Sequence, residues 1–307
     1  MVNEEMVNTV DLSGWTQVGE GGNGATYICE EKPNVILKVS HQADGTWEHI
    51  SKEFYTSKAV HDLGIPSPQM IELVRVGDEY GIISEKIPNK QSIARFCGEH
   101  PEEIDRLAGR MAELGKQIHQ TDVRRTDVPG TKEWIPSMKE LMLEALANTR
   151  MISSKTLKKT TDFVQSLEDA PTLLHGDFSL GNLIFEIPAS NDQMVNGQMV
   201  NGLKPYWIDL GRAEHGVPMF DLGHLYLFCN IFSKQKRVQQ IAHMTGEQMV
   251  QFWNSFALAY NGPEGLDEFT AECKRFAGLA IILLGHIQTL NWHERLFLGL
   301  LAKSMFK

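Results

Sequence analysis

The stretch Leu173-Leu-His-Gly-Asp-Phe-Ser-Leu-Gly-Asn-Leu-Ile-Phe185 decides the reading of this chain. Apolar residues of strand type box a polar turn in which Asp177 and Asn182 sit five positions apart. A carboxylate and an amide so placed suit two tasks, orienting a nucleophilic hydroxyl and ligating Mg²⁺. His175, beside Asp177, reads as a structural imidazole that shapes the loop. The bland alternative is an ordinary Asx turn. Downstream, Trp207-Ile-Asp-Leu-Gly211 places Asp209 at the end of an apolar strand. An unpaired carboxylate buried there is costly, and a bound divalent cation would offset the cost. Asp221, in Pro218-Met-Phe-Asp-Leu222, begins a helix. It reads either as an N-cap or as a structural brace for the Asp177 loop, and we favour the brace.

Upstream, Gly19-x-Gly21-x-x-Gly24 lies between two strand-like runs. Glycines let backbone amides approach phosphate oxygens, although a plain hairpin turn has the same signature. A dinucleotide site of Rossmann type needs a helix directly afterwards, whereas Thr26-Tyr-Ile-Cys29 looks extended. Lys38 stands inside the apolar run Val35-Ile-Leu-Lys-Val39, and Glu53 on the following helical stretch is its expected partner. Taken alone, such a lysine also fits an edge strand with its tip in water.

Trp15–Glu20, Ala25–Cys29, Val35–Val39, Met70–Val76 and Tyr80–Ile87 read as strands, and Glu48–Leu63 as a helix closed by Gly64-Ile-Pro-Ser-Pro68. From Pro101 onward the pattern turns to long helices. Ile104, Leu107, Met111, Leu114 and Ile118 mark an apolar stripe, and Thr245-Gly-Glu-Gln248 has the form of a capping box. Two short strands, Leu183–Ile187 and Tyr206–Leu210, interrupt the helices. Between them lie two copies of Gln-Met-Val-Asn-Gly, from Gln193 and Gln198, which read as a polar, mobile loop at a hairpin tip.

The order of these motifs resembles the protein-kinase-like fold, in the variant of the aminoglycoside phosphotransferase and choline kinase group of small-molecule kinases. The resemblance runs from about Val18 to Leu225. It implies an α+β, bilobal fold: an antiparallel-sheet N-lobe with one helix over residues 1–87, and a larger, mainly helical C-lobe over 88–307. It also implies roles. Asp177 would be the catalytic base, with Asn182 and Asp209 holding Mg²⁺. Lys38, paired with Glu53, would grip the phosphates of ATP under Gly19, Gly21 and Gly24. Adenine would hydrogen-bond to backbone from Glu85 to Ile87. The acceptor would be a hydroxyl of an aminoglycoside-, choline- or sugar-like molecule. A non-catalytic nucleotide-binding module and a protein kinase are the alternatives.

Two departures from the family pattern stand out. Gly176 occupies the place where regulated protein kinases usually carry Arg, and no APE-type segment follows Asp209, so switching by activation-loop phosphorylation is not expected. Asn182 and Asp209 are 27 positions apart, because a loop of about residues 189–203 is inserted. Its tip should point away from the metal and leave catalysis intact.

Length and composition agree. The 307 residues, 42% hydrophobic and 22% charged, suit a folded chain of about two domains rather than a disordered one. A net charge of −10 disfavours nucleic acid and anionic membranes as partners. The N-terminus shows no signal pattern, and the greasy run Phe276–Leu284 is far too short to span a bilayer. Cys29, Cys97, Cys229 and Cys273 are widely separated, as in reduced cysteines of a cytoplasmic protein. Asp267, Glu268, Glu272 and Glu294 are acidic positions on late helices that read mainly as solvated faces.

Overall fold

The computed structural model of the chain describes residues 4–21, 24–41, 46–124, 128, 130–187, 194–195, 198–199, 203–287 and 292–305. Its contacts divide into two compact units. One comprises Met1–Lys90, Thr126–Trp134 and Ile184–Arg212; the other comprises Gln91–Arg125, Ile135–Leu183 and Ala213–Lys307. A single cut after Ile87 therefore does not describe the first unit. The reason lies in backbone pairing: the Trp207 amide donates to Pro66 O at 2.8 Å and the Ile187 amide to Asn89 O at 3.1 Å, tying a late segment to an early one.

The first unit is built on six strands: β1 (Asn8–Thr9), β2 (Trp15–Gly21), β3 (Gly24–Cys29), β4 (Lys32–Ser40), β5 (Met70–Val76) and β6 (Glu79–Glu85). Their order is β1-β5-β6-β4-β3-β2. β1 runs parallel to β5, and the remaining pairs are antiparallel. The two-residue strand β1 is too short to show an alternation and was not expected. The five expected strands are present, with ends displaced by a few residues. Between β5 and β6 the chain turns at Gly77, where φ is +60° and Val76 faces Glu79.

Helix α1 (Trp47–Asp62) crosses this sheet. Thr46 caps it by accepting a hydrogen bond from His49 N, and Gly64 at φ +88° lets the chain leave it. Strand alternation divides the core around the sheet. Leu37, Val39, Val74, Val76 and Ile83 pack together on one face, while Leu73, Tyr80 and Ile82 meet Ile50 and Phe54 of α1 on the other.

The second unit is mainly helical. Helix Ile104–His119 buries the whole expected stripe from Ile104 to Ile118, after a 3₁₀ turn over Pro101–Glu103. Helices Met138–Asn148, Ser154–Ser166, Met219–Tyr226, Gly246–Asn261, Leu266–Ile287 and Trp292–Met305 follow, and the Thr245–Gln248 capping box is complete. The helix that carries Asp221 passes at Leu227 into a π-helical turn that ends at Ile231. Short helices Ile93–Glu99 and Lys236–Ala242 were not foreseen, since two turns carry too little periodicity. Phe220, Leu227, Phe276, Leu279 and Ile281 sit in an apolar cluster of this unit with Met142 and Leu146.

Of the repeat-bearing loop, Met194–Val195 and Gln198–Met199 pair as an antiparallel ladder. The expectation of a mobile hairpin tip otherwise lies outside the described residues. Asp267, Glu268 and Glu272 are exposed, as solvated faces should be. Among the described residues no helix is long and apolar enough to cross a membrane.

Candidate active site

Lys38 is not on an edge. β4 lies between β3 and β6, with Lys38 opposite Thr26 on one side and Ile82 on the other. Leu37 and Val39 take one face of the sheet, so period-two alternation aims Lys38 at the face covered by α1. There its ammonium meets Glu53 Oε1 at 2.7 Å, as the sequence suggested. Burial pulls the lysine's pKa down, but the charge and hydrogen bond of Glu53, and the charge of Asp209, push it further the other way. The net value lies above that of a free lysine, so Lys38 is a permanent cation at neutral pH.

Asp209 differs from its expected setting. The strand ends at Trp207, and Asp209 is exposed rather than buried at a strand end, so no desolvation cost calls for a cation. Two other features mark it. Its φ is +60°, a left-handed conformation that is uncommon outside glycine, and strain of this kind concentrates at functional sites. Its carboxylate is also close enough to act on Lys38. The chain then turns through Leu210–Arg212 against α1, and a Cβ on Gly211 would stand 2.7 Å from Glu53 Cγ. Gly211 therefore permits the approach that gathers Lys38, Glu53 and Asp209.

The three glycines of the β2–β3 hairpin are not equivalent. A strand, not a helix, follows Gly24. A Cβ on Gly24 would lie 2.2 Å from Val39 O, so sheet packing alone demands glycine there. A Cβ on Gly19 would meet only Thr26 Cβ, at an ordinary 3.9 Å. Packing does not explain Gly19, and Gly21 closes β2 just before residues outside the described set. At the far end of β6 the amides of Glu85 and Lys86 donate to Gln69 O and Asn34 O, both at 2.9 Å, and Ile87 is buried with Ile184 and Tyr206.

In the second unit, the loop carrying Asp177 and Asn182 is fastened from below. Strand Leu173–Leu174 pairs with Glu214–His215 and delivers the chain to His175. Asp221, 2% exposed and three residues into its helix rather than at the cap, accepts the His175 amide at 2.7 Å and the Gly176 amide at 3.0 Å. The brace reading of Asp221 is thus observed. His119 Nε2 reaches the same carboxylate at 3.1 Å, while its Nδ1 meets the Tyr260 hydroxyl at 2.8 Å. Burial raises the pKa of the Asp221 carboxyl, but the hydrogen bond and charge of His119, with those of His175, more than reverse this and hold it below the ordinary carboxylate value.

Gly176 has φ +79°, a conformation that disfavours the arginine found there in regulated kinases. His175 is fully buried and its Nδ1 accepts the Asp177 amide at 3.2 Å, so it does shape the loop. Phe178, also fully buried, packs its ring near His119 and Phe256 and under Gly115, where a Cβ would stand 2.9 Å from the ring. On this base Asp177 is half-buried. Asn182 Nδ2 donates to Asp177 O at 2.9 Å, which leaves its Oδ1 as the atom that could ligate a metal ion. One neighbour went unnoticed in the sequence: His224 Nδ1 lies 3.5 Å from Asp177 Oδ1. A single histidine on an apolar helix carries no signal of such a role.

Comparison with known proteins gives a consistent picture. The model of a family described as the phosphotransferase enzyme family (APH) matches residues 14–253. Acyl-CoA dehydrogenase family member 11 of Pongo abelii is 22% identical over 219 residues, which are 66% of this chain and 25% of that protein. The chain thus spans about a quarter of the length of this curated relative. Among solved structures, a thermostable mutant of aminoglycoside phosphotransferase APH(4)-Ia, in ternary complex with ADP and hygromycin B, aligns with a TM-score of 0.61 at 14% identity, covering 96% of this chain and 93% of that one. The GDP complex of wild-type aminoglycoside 2′-phosphotransferase-IIIa aligns with a TM-score of 0.56 at 16% identity, covering 95% and 92%. At such identities the likeness establishes the fold, which is the α+β kinase-like fold of these enzymes.

Proposed function

The chain belongs to the phosphotransferase enzyme family, and from that premise we propose that it moves the γ-phosphoryl group of ATP to a hydroxyl of a small molecule, with Asp177 as base. The observation that carries this reading is the loop beneath Asp177. A buried carboxylate, two buried imidazoles and a buried ring are spent on holding one half-exposed aspartate still. Phosphoryl transfer asks the protein for positioning and charge neutralisation rather than covalent chemistry, and such a loop supplies the first. Asp177 would orient the acceptor hydroxyl and take its proton as the oxygen attacks phosphorus.

Asn182 Oδ1 and the Asp209 carboxylate would hold Mg²⁺. Both are hard oxygen donors of the kind Mg²⁺ takes, and the Asn182 amide is already oriented with its nitrogen engaged, which supports its oxygen as a ligand. When bound, Mg²⁺ neutralises charge on the phosphate oxygens. Lys38, steadied by Glu53, would add a fixed positive charge for the same phosphates. Gly19 and Gly21 would admit them close to backbone, and the absence of a packing reason for glycine at position 19 supports this. Backbone from Glu85 to Ile87 would hydrogen-bond adenine, and with the Glu85 and Lys86 amides used in the sheet the Ile87 amide would be the donor.

The acceptor would be an aminoglycoside-, choline- or sugar-like alcohol, and the aminoglycoside phosphotransferases that share the fold support the first of these. A cytoplasmic setting suits the reading, given four buried free cysteines. No activation by phosphorylation is expected, since Gly176 replaces the arginine that reads such a phosphate. The test is a screen for acceptor-stimulated ADP release with ATP and Mg²⁺ over aminoglycosides, choline, ethanolamine, amino alcohols, sugars and nucleosides. The reading predicts stimulation by one class of alcohol. ATP binding without turnover across the panel would contradict it in favour of a non-catalytic module, and phosphate on protein Ser, Thr or Tyr alone would favour a protein kinase.

A further inference from the structure

Helix Met219–Tyr226 presents two polar side chains one turn apart, Asp221 and His224, on the face that meets the Asp177 loop. Asp221 grips the loop's backbone. His224 points at the carboxylate itself, Nδ1 to Oδ1, at 3.5 Å. That nitrogen is shielded from solvent and has no hydrogen-bond partner in the described structure, while the side chain as a whole is 15% exposed. A buried polar atom of this kind needs a reason, because leaving it unmatched costs stability. The reason lies within reach. A small rotation of the Asp177 side chain, which is 32% exposed, closes the gap to a hydrogen bond.

The imidazole itself is held. The ring of Phe228, in the π-helical turn that follows the helix, stands edge-on to it at 6.3 Å. The helix is seated by Gly223, where a Cβ would stand 2.6 Å from the backbone of Phe276. Asp177 is therefore flanked by a held imidazole on one side and is part-exposed on the other.

Resting on the assignment of Asp177 as base, we infer that His224 is a positioning residue: its Nδ1–H donates to Asp177 Oδ1, fixes the carboxylate rotamer, and leaves Oδ2 for the acceptor hydroxyl. His224 touches neither nucleotide nor acceptor. It acts through Asp177, and its loss lowers turnover rather than ATP binding.

Two measurements test this on the full chain. In long-range ¹H–¹⁵N spectra of the histidine rings, with His224 assigned by its disappearance in His224→Asn, Nδ1 carries the proton and its resonance moves in Asp177→Asn. A bare Nδ1 with the proton on Nε2, or a resonance indifferent to Asp177→Asn, overturns the inference whatever the activity of the protein. In ADP release from ATP and Mg²⁺ with water as acceptor, His224→Leu lowers kcat by about 10- to 100-fold, the usual cost of removing an outer-shell orienting group, with the KM for ATP unchanged. His224→Asn, whose Nδ2 replaces Nδ1, restores most of the rate. Melting temperatures of both variants separate this from misfolding. Wild-type kcat in a folded His224→Leu, while Asp177→Asn is inactive, refutes the role of His224 alone. An active Asp177→Asn refutes the base assignment instead.

Discussion

Two regions of this molecule bring charged groups to work, and they do so in opposite ways. The Asp177 loop is settled before any ligand arrives: Asp221 holds two backbone amides, His175 holds a third, and Phe178 is sunk into the helical core. The Lys38 cluster is looser. One ion pair of half-buried side chains and an exposed aspartate in a left-handed conformation make up the group. On the proposed reading the base must be placed to a fraction of an ångström, and folding supplies that position. On the same reading the charges around Lys38 would accept a polyanion and release its product, so part of their organisation would be left to the ligand. Stability and activity should therefore be coupled at the loop and separable at the lysine.

Asp221→Asn is the severest way to test that difference. It puts an amide where the carboxylate receives two backbone N–H groups and an imidazole. Breaking a fully buried set of this kind costs about 3–5 kcal/mol, and turnover should vanish together with the fold's stability. Thermal and urea melts read the loss. The same carboxylate gives the wild type an acid limb. Because its pKa in the folded chain is depressed, its contribution is fully present above the ordinary carboxylate pKa of about 3.8 and is lost as pH falls below it. Asp221→Asn should lack this component, and a mutant melting with the wild type's acid profile would break the account.

Gly24→Ala comes next. Its methyl would meet Val39 O at 2.2 Å, at an overpacking cost of about 1–3 kcal/mol. Gly19→Ala, one hairpin strand away, meets no such obstacle, and should leave the melt unchanged while raising the KM for ATP. Equal stability losses in the two variants would erase the distinction between a packing glycine and a phosphate glycine. Lys38→Met should also move stability little, by less than about 1 kcal/mol, since half-exposed ion pairs contribute little. Its effect belongs to ATP binding and turnover, seen by titration calorimetry and ADP release, and a strongly destabilised Lys38→Met would show the cluster to be structural after all.

What the sequence disclosed was local in the chain. The spacing of Asp177 and Asn182, the lysine amid Val35–Val39 and the Pro218–Leu222 segment each carry their meaning within a few residues, and the pairing of Lys38 with Glu53 followed from one strand and the next helix. What stayed hidden depends on distant parts of the chain meeting. Nothing near Gly211 announces that Glu53 will press upon it, and nothing near His224 announces Asp177, 47 residues earlier. Asp209 was misread for a related reason. Apolar neighbours suggested a buried strand end, but the strand stops at Trp207 and the left-handed turn carries the carboxylate to the surface. Strands and helices of two turns or fewer escaped because periodicity needs length to declare itself.

The account turns on Asp177, and Asp177→Asn tests it most directly. The substitution keeps the shape of the side chain, its backbone bonds to His175 and Asn182, and the loop beneath. With ATP, Mg²⁺ and the acceptor found by the screen, the wild type should release ADP and phosphorylate the alcohol. The variant should melt at the same temperature and bind ATP as before, yet lose turnover by at least about 100-fold. A folded Asp177→Asn protein that transfers phosphate at the wild-type rate would contradict the account.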